Sequence, residues 1–176
     1  TGKLDFTKGN SIPRIFGTFH MGSYRLMKLI LAKYNIHFTL VVSKATLKEL
    51  KETSLKAYED VKMLTGITSS FDFIEAEKSS SVLSMLRALK SGKSLMFYID
   101  GNTGMGGIVK TDETMLAVKL FDSIIYTRIG ISFLAHKADE HIINCFSYIE
   151  NCENIDNITI QFNDPIFPEH GNKDIH

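Results

Sequence analysis

The sequence is poor in the features that mark specialised chemistry. Its 176 residues include two cysteines, Cys145 and Cys152, too few for a disulfide framework and spaced as neither a C-x-x-C redox pair nor a zinc site. A reducing compartment is the simpler expectation. No apolar run approaches the roughly 18 residues of a transmembrane helix. Neither sign of charge is in excess, since 20 Lys/Arg balance 20 Asp/Glu; this excludes a strongly basic nucleic-acid binder and an acidic solvating segment. Nucleotide signatures are missing as well. No Gly-x-Gly-x-x-Gly follows the first expected strand, which disfavours a Rossmann-type nucleotide enzyme, and the glycine-rich stretch 101–107 lacks the Gly-Lys-Ser/Thr ending of a P-loop. The same stretch lacks the spaced oxygen ligands of an EF-hand. No serine stands in Gly-x-Ser-x-Gly, so an α/β-hydrolase is disfavoured. The opening Thr1-Gly2-Lys3 is neither a signal peptide nor an initiator-methionine context, and a processed or trimmed chain is expected.

What remains is an ordinary globular composition, 44% apolar and 23% charged, in a length that suits one domain with a real core. The reading is a single domain over 1–176, with 1–10 and 169–176 peripheral. Charge is unevenly divided. Residues 1–88 carry 13 Lys/Arg against 8 Asp/Glu, and residues 89–176 carry 7 against 12, so an anionic partner should favour the first half. Twelve glycines and three prolines place flexible turns between regular elements.

The pattern of elements follows from hydrophobic periodicity. A strand at 14–19 ends at His20, and helical spacing over 24–34 follows, with Lys28 and Lys33 on its outside. A buried strand at 36–42 ends at Ser43-Lys44; a helix at 46–64, with its stripe at Leu47, Leu50, Leu55, Tyr58, Val61 and Leu64, closes on Gly66. A strand at 71–74 and a helix at 82–90, capped by Ser80 or Ser81 and stopped by Gly92, lead to a strand at 94–99 that delivers Asp100. Beyond it, 115–121 is ambiguous with a short helix as one reading, 124–128 is strand or helix entry, and 131–134, 142–149 and 158–162 read as strands. Alternation early and strands late make this an α/β fold: a mostly parallel central sheet flanked by helices, with room for an antiparallel C-terminal edge.

Ligands of open α/β sheets bind beyond the carboxyl ends of the strands. Three expected strands end in His20, Lys44 and Asp100, and a fourth in His136. His20 suits a general base, because an imidazole ordinarily titrates near neutrality; the plain alternative is a loop histidine bonded to a carbonyl. Asp100 can orient a base or bind substrate, or make Asx-turn bonds in its glycine loop. Lys44 and Arg25 are candidate phosphate or carboxylate binders. Arg128 interrupts an apolar region, where burial would demand a charged partner. His136 and His141, five apart, have the wrong spacing for one helix face, so no metal is expected and a turn between strands is the better reading. Cys145 lies in an apolar strand and reads as core.

The order of motifs resembles a known family. Phe16-Gly17-Thr18-Phe19-His20-Met21-Gly22-Ser23-Tyr24 is similar to the histidine block of the lipid A biosynthesis (lauroyl/myristoyl) acyltransferases, within the glycerolipid and lysophospholipid acyltransferase superfamily. Leu40-Val41-Val42-Ser43-Lys44, the stretch from Val82 to Lys93, and Met96-Phe97-Tyr98-Ile99-Asp100 follow in the family's order, as do its paired strands over 131–163 with Pro165. The resemblance spans roughly 14–168; each motif is short, and the ordered series carries the specificity.

The resemblance implies acyl transfer from a thioester, acyl-carrier protein or coenzyme A, to a hydroxyl or amine of a small-molecule or lipid acceptor. It implies His20 and Asp100 as catalytic, and Arg25, Lys44, Gly101, Asn102 and Arg128 as substrate-binding. No tightly bound cofactor, metal or nucleic acid is expected. The chain departs from the family at position 25, where Arg25 replaces the acid that orients the histidine. Asp100, Asp122 or a backbone carbonyl would have to substitute, unless activity is weak or lost and the chain is a non-catalytic binder of an acyl or anionic ligand. The preferred reading is instead a repurposed enzyme in which Arg25 grips a phosphate or carboxylate of an unusual substrate. The family's usual N-terminal membrane-associated segment and extra C-terminal helices have no counterpart here, so the expectation is a cytoplasmic protein without a transmembrane segment, at most peripheral to a membrane.

Overall fold

The structure is a computed structural model and describes residues 13–99, 115–149 and 158–168. Asp100, Gly101, Asn102 and Cys152 lie outside the described residues. The early elements are β1 (Ile15–Thr18), α1 (Met27–Lys33), β2 (Phe38–Val42), α2 (Lys44–Thr65), β3 (Phe71–Glu75), α3 (Ser81–Lys90) and β4 (Ser94–Tyr98). Then come β5 (Met115–Leu120), β6 (Ser123–Arg128), α4 (Gly130–Ala138), β7 (Ile142–Ile149) and β8 (Ile158–Phe162). Six strands form one sheet in the order β3-β2-β4-β1-β7-β8, and β5 pairs with β6 in a separate two-stranded sheet. The first five of the six run parallel. β8 closes one edge antiparallel to β7, as the sequence allowed.

Side chains alternate across a sheet, and both faces here are covered, which is why the strands read as nearly unbroken apolar runs. On one face Phe16, Phe38, Leu40, Val42, Met96, Ile143 and Cys145 pack with Met27, Leu31 and Tyr58 of α1 and α2. On the other, Ile15, Val41 and Leu95 pack with Met85, Leu89, Leu134 and Ala135 of α3 and α4. This division follows from right-handed crossovers. The connections β1→β2 and β2→β3 move one way along the sheet, and β3→β4 and β4→β7 move the other.

Local chemistry sets the helix ends. Ser43 accepts a hydrogen bond from the Thr46 amide at 3.1 Å and starts α2. Gly66, at φ +70°, ends it in the left-handed conformation. Ser80 sits at the N-cap of α3 without a side-chain bond. The expected stripe of α2 holds at Leu47, Leu55 and Tyr58, but Leu50 and Leu64 are exposed.

The structure settles one ambiguity and corrects other expectations. The stretch 115–120, ambiguous from sequence, is a strand: Val118, Ile124, Ile125 and Thr127 favour extended pairing with 123–128 through a tight turn at Phe121-Asp122. The stretch 131–134 is helical, the start of α4. Ile131, Leu134, Ala135 and Ala138 pack against the second face at i, i+3, i+4 and i+7, a spacing that a four-residue window hides. His136 therefore ends no strand and lies between no pair of strands; it sits in the last turn of α4. The helical pattern from Tyr24 begins with a 3₁₀ turn (Tyr24–Leu26), and α1 proper starts at Met27.

Phe16 is fully buried between β4 and β7, so Phe16→Ala should cost about 3–5 kcal/mol. Met63, 77% exposed on α2, should tolerate alanine within about 0.5 kcal/mol. Urea denaturation of both variants checks the contrast: a lowered midpoint at unchanged slope is expected for the first alone.

Candidate functional site

Parallel strands place all their carboxyl ends along one border of the sheet, and β4 lies between β1 and β2. His20 follows β1 and Lys44 follows β2, so their strands are two spacings apart, about 10 Å. The helix that precedes β7, α4, packs on the face opposite α1 and α2, so β1 and β4 are neighbours at which the winding of the sheet reverses, the kind of position where open α/β sheets bind ligands. The Ile99 amide donates to the Thr18 carbonyl at 2.8 Å, holding the ends of β1 and β4 together.

His20 is exposed at this border and lies on an aromatic cluster. Its ring stacks on Tyr98 at 4.3 Å between centroids and meets the edge of Tyr24 at 5.0 Å. Tyr24 and Tyr98 are themselves perpendicular at 5.5 Å. Each aromatic pair of this kind contributes about 0.5–1.5 kcal/mol beyond burial. The cluster fixes the plane of the imidazole and leaves the side chain accessible to a ligand.

The loop after His20 is held from β7. Gly22 has φ +56°, and a Cβ there would run into the Ser147 carbonyl oxygen. Only glycine meets both conditions. The Ser23 amide then donates to Ser147 Oγ at 3.0 Å, and Ser147 is buried. On the opposite face Phe19 stacks on Phe146 at 5.1 Å. His20 is thus positioned by both strands that flank β1. Beneath it on the same strand face lies Thr18, whose buried Oγ1 has no hydrogen-bond partner among the described residues.

Arg25 sits in the 3₁₀ turn, exposed, with Nε donating to the Tyr24 hydroxyl at 3.3 Å and Cζ 5.8 Å from the Tyr24 ring centroid. Lys28, expected on the outside of its helix, is instead half-buried. Burial lowers its ammonium pKa, and the positive charge of Arg25 one turn away adds to the effect. No carboxylate pairs with either cation among the described residues.

The remaining candidates are more scattered. Lys44 is exposed at the start of α2, and its backbone amide is taken by Glu77 Oε2 at 2.6 Å, so the end of that helix is already occupied by the protein's own carboxylate. Arg128 lies in β6, opposite Met115, and so belongs to the separate β5–β6 sheet. The structure brings His20 and Arg25 together with Tyr24 and Tyr98, with Lys28 near Arg25; it does not place Arg128 on the six-stranded sheet. Asp100, Gly101 and Asn102 follow β4 in sequence, outside the described residues. His141 precedes β7 at the amino ends of the strands and packs its ring against Phe167 at 4.2 Å, remote from His20. Cys145 is core, as expected: it is fully buried, burial pushes its thiol far above the usual range, and Sγ faces the Ile143 carbonyl at 3.5 Å. Among the described residues there is no group of three metal-ligating side chains, and no helix is long and apolar enough to cross a membrane.

The sequence reading missed Tyr98, Lys28, Gly22 and Ser147. Tyr98 was the most accessible of these, since positions 96 and 98 of one strand face the same side as 16, 18 and 20 of its neighbour.

No family model matches the chain, and no curated protein matches it at a significant level.

Gly22→Ala should lower stability by about 2 kcal/mol or more, from left-handed strain and the clash with Ser147. Thermal unfolding should show a clear drop, with Gly66→Ala, where a Cβ meets nothing, costing only about 1 kcal/mol. Thr18→Val should stabilise by about 1 kcal/mol, because it removes an unsatisfied buried hydroxyl at nearly constant shape. A loss of stability of that size would mean the hydroxyl has a partner.

Proposed function

We propose that the protein is an acyltransferase of the lipid A biosynthesis type, moving an acyl group from a thioester to a hydroxyl or amine, with His20 as general base. The observation that carries this reading is the seating of His20 on Tyr98 at the carboxyl end of β1, where the winding of the sheet reverses between β1 and β4. The ordered histidine, strand and Asp100 motifs give the same assignment from sequence.

In the proposed reaction the imidazole takes the proton of the acceptor hydroxyl or amine as that atom attacks the thioester carbonyl. The tetrahedral oxyanion collapses, the C–S bond breaks, and the leaving thiolate takes the proton back from the imidazolium. The products are an ester or amide and a free thiol, with no covalent enzyme intermediate required. The donor is acyl-coenzyme A or an acyl-carrier protein, bound as a substrate. Asp100 is the proposed orienting carboxylate, and Lys44, Gly101, Asn102 and Arg128 are proposed substrate contacts. Cytoplasmic placement, at most peripheral to a membrane, belongs to the same proposal.

A second reading has a specific observation in its favour. Arg25 occupies the place of the family's orienting acid and is committed to the Tyr24 hydroxyl, which suits a protein that binds an acyl or anionic ligand without turning it over. Thiol release from acyl-coenzyme A and acyl-carrier protein, assayed against hydroxyl and amine acceptors, separates the two. Acyl transfer predicts acceptor-dependent release that falls at least about 100-fold in His20→Ala. Undiminished release in that variant would remove His20 from its role. Saturable acyl-ligand binding without release would establish the second reading.

A further inference from the structure

Acyl transfer passes through a tetrahedral intermediate with a negative oxygen, and a donor fixed where that charge develops lowers the barrier. Tyr24 is a hydroxyl held beside His20 that no role has yet absorbed. It is half-buried in the 3₁₀ turn and makes a T-shaped contact with the imidazole at 5.0 Å between centroids. Tyr98 fixes its ring from a second side, perpendicular at 5.5 Å. The Tyr24 hydroxyl accepts from Arg25 Nε at 3.3 Å and makes no other hydrogen bond among the described residues. A phenol has lone pairs to accept with and one proton to donate. Accepting from a guanidinium uses a lone pair and leaves the O–H to give. Hydrogen bonds in a chain polarise one another, so a phenol that faces a cation donates more strongly.

We propose that Tyr24 is a catalytic residue that donates its hydroxyl hydrogen bond to the oxyanion, and that Arg25 is the positioning residue that holds and polarises it. The assignment rests on the proposed role of His20 as general base. The acceptor oxygen or nitrogen bonds to the thioester carbon as His20 takes its proton. The carbonyl π pair moves onto oxygen, which accepts from Tyr24 while the phenol keeps its proton. The pair returns as the C–S bond breaks, and the thiolate takes the proton from the imidazolium. The spacing suits this division of labour. A base, the nucleophile it holds, the carbonyl and an oxyanion donor follow one another at contacts of about 3 Å, so the donor belongs beside the base and not upon it. A ring centred 5.0 Å from the imidazole lies within that span. The residue at position 25 then has a chemical reason: a carboxylate there would itself accept the phenol proton, whereas a guanidinium leaves it for the substrate.

Steady-state thiol release and inhibitor titration on the full chain test the assignment. Tyr24→Phe keeps the ring and its contacts, so its unfolding midpoint should hold. Its kcat should fall about 100-fold with KM nearly unchanged, the pattern of a lost interaction made only in the transition state. Arg25→Gln should lower kcat about 10-fold, and should add nothing further in the Tyr24→Phe background, because Arg25 acts through the hydroxyl. A trifluoromethyl ketone analogue of acyl-coenzyme A, whose ionised hydrate resembles the tetrahedral adduct, should bind Tyr24→Phe at least about 10-fold more weakly, with coenzyme A binding unchanged. Tyr34→Phe, at the far end of α1, should leave both readouts as they are. Release that is lost in His20→Ala and undiminished in Tyr24→Phe would overturn the role of Tyr24 alone. A raised KM at unchanged kcat in Arg25→Gln would overturn that of Arg25. Absence of release from the wild type with either donor would remove the acyl-transfer reading, and this one with it.

Discussion

The insertion of β4 between β1 and β2 is the constraint on which the rest of the molecule depends. Consecutive strands could pair directly, but here the chain leaves β1, builds β2 and β3, and returns to fill the gap. That return moves α3 and α4 to the second face and gives each side of the sheet its own apolar cluster. It also puts Tyr98 beside Thr18 in register, so the next residue outward on that face, His20, finds an aromatic ring to lie on. The reversal of winding beside β1 and the seating of the imidazole come from one topological choice.

The positioning of His20 is spread over both flanking strands. β4 supplies the ring beneath it, and β7 supplies the Ser147 carbonyl and hydroxyl against which Gly22 and Ser23 are docked. A side chain held this way has a loop that loses little freedom on meeting a ligand. The cations of the next turn inherit that placement, because the 3₁₀ turn begins directly after the docked residues. The excess of positive charge in the first half of the sequence thus has a local expression at Arg25 and Lys28.

The sheet strands were legible because they are buried on both faces, so β1, β2 and β4 stand out as apolar runs ending in polar residues. The ends of α2 were legible from Ser43 and Gly66, whose chemistry is local. Legibility failed where the signal needs a longer window or a partner in space. Ile131–Leu134 looks extended until Ala135 and Ala138 complete its helical period, and the pairing of 115–120 with 123–128 overrides a composition tolerant of helix. The same distinction governs the site. His20 was visible at a strand end, but Tyr98, on which it stacks, and Ser147, on which its loop docks, are 78 and 127 residues away along the chain, and Lys28 is half-buried through packing that no local pattern reports.

The strand that carries His20 also pairs with partners made much later: Ile15 lies against Leu95 on one side and Ile142 on the other. Closing contacts of such sequence separation is slow, because the loop entropy must be lost before the pairing returns anything. During synthesis β1 emerges before the other strands of its sheet and waits for β4 and β7 before both its edges are covered. The apolar residues Ile15 and Phe16 are therefore a folding liability for that interval, and the histidine loop can reach its docked form only once β7 has arrived. Competence at this border is a late event in the life of the chain, reached after nearly all the rest of the sheet has assembled.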